Sequence, residues 1–252
     1  MPNHFSAIGF KINSEEEFDS VIGGLLKTDL DQCVTPQGIY LRWRQDENFG
    51  PEIWFQVVND NVVGVDPFFR GKSETVVGIT DKIEIPGATP LDALMHAWAE
   101  PESAEKIDSG TYPFAFDMIS LQAYENVAIP GLEKLSLCAM AQEVDIYENE
   151  QAYNEAQDPE TPSLAPESFI PTGLFGPEGG AQFTPRPEAV FAGRILETKL
   201  MKNAHTGQEF HWVLVKTLGA TVDVVIDPVY VKKPIKVGGI IAGSFYLCGD
   251  FR

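Results

Sequence analysis

The stretch EFHWVLVKTLGATVDVVIDP, residues 209–228, decides how the rest of the chain is read. Phe210, Trp212 and Leu214 alternate with His211, Val213 and Val215, so a strand here carries apolar side chains on both faces. Leu218-Gly219-Ala220 supplies a tight connection, and ATVDVVIDP continues as a second strand. A strand apolar on both faces needs cover on both. A small closed barrel provides it, because a curled sheet buries one face inside and part of the other under a neighbour.

Working outward, AVFAGRILETKLM precedes this pair, His205-Thr206-Gly207 makes the turn, and GGIIAGSFYLCGDF follows. The expectation for 189–252 is an OB-like or SH3-like β-barrel. Upstream, residues 158–188 are dense in proline and glycine, which remove donors and add chain freedom, so no regular element is expected there. FIPTGLF in its middle is apolar, which suits an ordered strap more than a free tether.

Residues 1–157 read as an acidic α+β domain, mainly an antiparallel sheet with few helices. In FKINSEEEFDSVI, residues 10–22, Ser14 and Glu17 form a capping box, and three glutamates sit against the positive end of the helix dipole. Phe18, Val21, Ile22 and Leu25 then make one apolar stripe. Asn149 is placed to cap a second, shorter helix. Strands are expected over 4–12, 39–44, 52–58, 61–69, 75–85, 91–99, 112–120 and 134–147.

The net charge of −19 divides into −22 over residues 1–188 and +3 over 189–252. That field repels phosphate, which argues against nucleic acid and anionic membranes as partners of the whole molecule. No apolar run approaches the roughly 18 residues that span a bilayer, and the N-terminus has no secretory pattern. Cys33, Cys138 and Cys248 are widely spaced and form no CxxC, which fits reduced thiols in a cytoplasm.

The segments IGF (8–10), SEEEF (14–18), ESFIPTGLF (167–175) and VGGIIAGSF (237–245) resemble a family of bacterial cytosolic proteins with no assigned activity. A looser likeness is to the vicinal-oxygen-chelate metalloenzymes, which pair βαβββ modules around a divalent metal. That likeness implies a ligand set of His4, Glu52, His96 and Glu143, with the metal acting as a Lewis acid. The spacings are parallel, 48 residues from His4 to Glu52 and 47 from His96 to Glu143.

Arg42 and Arg44 flank Trp43 and point to the opposite face, where acidic neighbours are the expected partners. Trp54, Phe68 and Phe69 are expected in the core. His211 and Asp223 are candidate cross-strand neighbours, and Lys232, Lys233 and Lys236 form a solvated basic patch. GxSxG, GxGxxG and GxxxxGK[ST] are absent. The leading expectation is a non-enzymatic binding or assembly protein with an unknown protein or small-molecule partner or a second copy of itself in a homo-oligomer, and no cofactor. The alternatives are the metal-dependent enzyme and single-strand nucleic-acid binding through Phe210, Trp212 or Tyr246.

Overall fold

The computed structural model describes residues 4–124, 127–160, 163–176 and 183–252. The chain opens on a short 3₁₀ turn, Ser6–Ile8, where a strand was expected. Gly9 breaks the extended path with φ 84°, and a side chain there would meet Asn203 at 2.7 Å. Helix α1 (Glu15–Leu25) follows, with Ser14 Oγ accepting from the Glu17 amide. The Glu17 carboxylate returns to the Asn13 amide, one residue earlier than the capping box predicts.

Strands β1 (Asp31–Thr35), β2 (Gly38–Arg44), β3 (Gly50–Val58) and β4 (Asn61–Arg70) form a four-stranded antiparallel meander in sequence order. The β3–β4 turn uses Asn59 and Asp60 with positive φ, the left-handed pair that a tight hairpin needs.

A mixed nine-stranded sheet takes the rest. Its first half holds β5 (Thr75–Ile83), β6 (Leu94–Ala99), β7 (Tyr112–Met118) and β8 (Gly131–Tyr147). Helix α2 (Glu150–Glu155) follows, with the Asn149 side chain capping it from the Ala152 amide. Within the expected strap lies β9 (Ser168–Ile170), a short regular strand where the proline density predicts none; residues 161–162 and 177–182 of the strap lie outside the described residues. The second half holds β10 (Glu188–Lys202), β11 (Glu209–Thr217), β12 (Ala220–Ile226) and β13 (Ile240–Phe251).

The expected barrel over 189–252 is not closed by its own strands. Strand β12 pairs in parallel with β8, and β8 pairs with β13 over most of its length. The ring β10-β11-β12-β8-β13 therefore borrows β8 from upstream of the strap. A second ring, β5-β6-β7-β13-β8, borrows β13 in return through a parallel β7–β13 pair. Each half is a three-strand meander plus a fourth strand that completes the other half's ring. One apolar interior runs through both rings, from Phe116 and Leu137 to Phe191, Val213 and Phe245.

The four-stranded sheet packs its inner face on the outside of these rings. Trp43, Ile53 and Phe55 share one buried cluster there with Cys138, Met140, Phe210, Trp212 and Cys248. Strand 209–217 is thus buried on both faces, for the reason its apolar alternation suggested. The strap closes a third contact. Phe169 stacks on Tyr112 at 4.3 Å and on Phe191 at 5.7 Å, and Phe191 stacks on Phe245 at 3.9 Å.

Candidate functional site

A cavity of about 240 Å³ opens between the two sheets. Gln56 of β3 and Asp66 of β4 reach it from one side, Leu94 of β6 with Asp117 and Met118 of β7 from the other. Tyr246 of β13, Ile85, Asp92, Ala93 and Ile119 complete the wall.

Gln56 organises the acids. Its side-chain nitrogen donates to Asp66 Oδ2 and to Asp92 Oδ1, each at 2.9 Å, and its oxygen accepts from Thr89 Oγ1 at 2.5 Å. The turn Thr89–Asp92 is self-capped, with the Thr89 amide donating to Asp92 and the Asp92 amide donating back to Thr89 Oγ1. Gly64 makes room for this arrangement, since a Cβ there would lie 2.9 Å from the Gln56 amide group. Tyr246 donates its hydroxyl to Asp117. The His4 ring sits 4.0 Å from the Tyr246 ring, and burial lowers its pKa.

Burial raises the Asp117 pKa to about 8, with Asp66 and Asp92 adding repulsion. Burial likewise raises Asp66 to about 6, against the Gln56 hydrogen bond and with help from Asp92. The proton of the cleft is thus held more tightly by Asp117 than by Asp66. Apolar walls with several carboxyl groups are a setting in which a positive guest is favoured twice, by charge and by relief of the acids' mutual repulsion.

The four expected metal ligands occupy separate neighbourhoods. Only His4 adjoins the cleft. Glu52 is fully buried, with Arg70 on one oxygen at 2.8 Å and the Trp54 indole N–H on the other at 2.8 Å. The His96 ring meets Thr80 Oγ1 at 2.6 Å, and Glu143 is exposed on β8. Among the described residues, no group of three or more His, Cys, Asp or Glu side chains is arranged to hold a metal ion.

Other candidates resolve into scaffold. Arg42 and Arg44 share Asp31, each at 2.9 Å. Trp54, Phe68 and Phe69 are buried, as expected. Phe210 and Trp212 are buried too, so neither ring offers a platform on which a base could stack. His211 pairs across the ladder with Ile226 rather than Asp223. Of the lysines, Lys236 pairs with Glu148 and Lys233 lies over the Tyr147 ring.

Sequence reasoning missed Asp66, Asp92, Asp117 and Gln56. The available signal was a lone acid inside a strand with apolar neighbours on both sides, VGVDPFF and FAFDMIS.

No protein family, curated protein or solved structure matches the chain. The likenesses drawn from short motifs therefore stand on those motifs alone.

Proposed function

We propose that this is a binding protein whose cleft receives an organic cation. One observation carries the reading: Asp66, Asp92 and Asp117 line a single cavity together with the apolar Ile85, Leu94, Met118 and Ile119 and the polar Gln56 and Tyr246. Carboxyl groups supply the charge complement, and the apolar wall suits a carbon stem on the guest. Gln56 and Thr89 hold two of the acids in place before any guest arrives, which lowers the ordering cost of binding. A guest larger than a bare ion fits acids that do not converge on one metal position.

We place the protein in the bacterial cytosol, on its free thiols and on the motif likeness. The kinship of 189–252 to an OB-like or SH3-like barrel belongs to this reading as well, now with β8 as the closing strand. A partner protein and self-association stay within it. The metal-dependent and single-strand-binding alternatives have no observation in their favour.

Titration calorimetry at pH 7 with n-butylammonium and n-butylguanidinium, against neutral n-butanol, tests the proposal. Heat from at least one cation, none from the alcohol, and loss of that heat in Asp66→Asn support it. Absence of binding by both cations at millimolar concentration overturns it. Manganese, nickel and zinc form a further arm: tight metal binding lost in His96→Ala or Glu143→Ala would revive the metal reading.

A further inference from the structure

The two halves of the nine-stranded sheet are related by a pseudo-two-fold, and the relation holds residue by residue. Cys138 of β8 faces Cys248 of β13 across their ladder. Asp117 of β7 lies beside Cys248 in the parallel pair, and Asp223 of β12 lies beside Cys138 in the equivalent pair. Asp117 faces Leu94 on the next strand, and Asp223 faces Leu214. The two aspartates are twins.

Their surroundings differ in one respect. Asp223 accepts three N–H groups: Lys72 at 2.9 Å on Oδ1, Ser73 at 2.7 Å on Oδ2, and the Trp212 indole at 2.8 Å on Oδ1. The twin has lost each donor. The register of β5 on β8 and of β10 on β13 makes Pro187 the counterpart of Ser73, and proline has no N–H. The matching contact survives: Leu137 donates to Ser73 Oγ, and Leu247 donates to the Pro187 carbonyl. Arg186, the counterpart of Lys72, gives its amide to the Gly173 carbonyl in the strap. Asp92 stands two residues before Leu94, where Trp212 stands two before Leu214, so an acid replaces the third donor. Among the described residues the Tyr246 hydroxyl is what Asp117 receives, and the cavity opens at this place.

The paired amides of Lys72 and Ser73 meet both oxygens of one carboxylate. That is the side-by-side donor pattern of a guanidinium, which an ammonium with its tetrahedral donors does not reproduce. We propose that the cleft takes a guanidinium group, whose N–H pair supplies to Asp117 the donors that the fold itself supplies to Asp223. The inference rests on the cleft reading above and narrows it. A guanidinium has further donors for the Asp66 carboxylate across the cavity. Its fixed charge makes Asp117 give up its proton on binding. Among the described residues the other titratable groups around Asp117 are Asp66, Asp92, Tyr246, Cys248 on the neighbouring strand and, behind Tyr246, His4.

Calorimetry on the intact chain at pH 7 compares n-butylguanidinium, n-butylammonium and the peptide acetyl-Gly-Arg-Gly-amide. The expected result is butylguanidinium at least about tenfold tighter than butylammonium, with net proton release seen as a heat that changes with buffer. Asp117→Asn, nearly isosteric, should lose both the affinity and the proton, and Asp66→Asn should weaken binding if the first variant fails to fold. Equal or tighter binding of the ammonium overturns the guanidinium assignment and leaves the cation cleft standing. No binding by either overturns both. If the guanidinium wins, a peptide tighter than butylguanidinium identifies an arginine side chain as the source, and a weaker one identifies a free small guanidine.

Discussion

Arg70 Nε donates to Glu52 Oε1 at 2.8 Å, joining the end of β4 to the start of β3 at the seam with the large sheet. The same guanidinium pairs with Asp250 of β13, which also accepts from Ser120 and Tyr124. Burial opposes the Arg70 charge, but the two carboxylates outweigh it and raise its pKa. Removing the cation would strand two buried acids. Arg70→Ala should lose about 3–5 kcal/mol in chemical denaturation, as one-sided breaks of buried ion pairs do. A loss under about 1 kcal/mol would mean the network is hydrated and loose.

The twin aspartates give opposite results on substitution. Asp223→Ala leaves the amides of Lys72 and Ser73 and the Trp212 indole unpaired, so about 3 kcal/mol or more should be lost. Asp117→Asn keeps the shape and removes a poorly solvated acid, so stability at pH 8 should hold or rise. Urea titration of both variants reads the contrast, and similar losses would contradict the twin comparison.

The pH dependence follows in sign from Asp117. Its folded pKa of about 8 lies above the ordinary 3.8, so the folded state holds the proton more tightly than the unfolded state does. Its contribution to stability is therefore present below pH 4 and is lost as the pH climbs to about 8. The slope from this one group is at most about 1.4 kcal/mol per pH unit. Denaturation midpoints of the wild type and Asp117→Asn should diverge steadily between pH 5 and 8, with the variant gaining. Parallel curves would place the Asp117 proton elsewhere.

Much of the framework was legible in the sequence, because it is written in local signals. The capping box placed α1, and apolar segments bounded by turn residues placed β2 through β8 and β10 through β13. Strand β1, DQCVT, escaped because its side chains are mostly exposed or half-buried and carry little pattern. The misread segment 4–12 is apolar enough for a strand, but the Gly9 turn and the Asn203 and Thr206 side chains, which donate to the carbonyls of Ile8 and Gly9, fold it back. Ring closure was illegible for a different reason. The partner of Val224 is Ala139, and no periodicity within a strand reveals a pairing that distant. The cleft escaped likewise, since its acids come from separate strands and a loop.

That shared closure is testable by truncation. A fragment of residues 189–252 lacks β8, so β12 has a bare edge and β13 loses its longest partner. The fragment should be unfolded by circular dichroism and amide dispersion. A folded monomeric fragment would restore the self-contained barrel that the sequence suggested.

Phe169 is the strap's anchor between Tyr112 and Phe191. Because the ring is only partly buried, Phe169→Ala should cost about 2 kcal/mol, short of the full core value. Limited proteolysis should then cut the strap faster, while unchanged cleavage would mean that other contacts hold it.

The most direct measurement is the Asp117 carboxyl carbon, followed by NMR through a pH titration with and without n-butylguanidinium. The expected midpoint is near pH 8 in the empty protein and at least a full pH unit lower with the cation bound. A midpoint near 4 without ligand, or one that the cation leaves where it was, would contradict it.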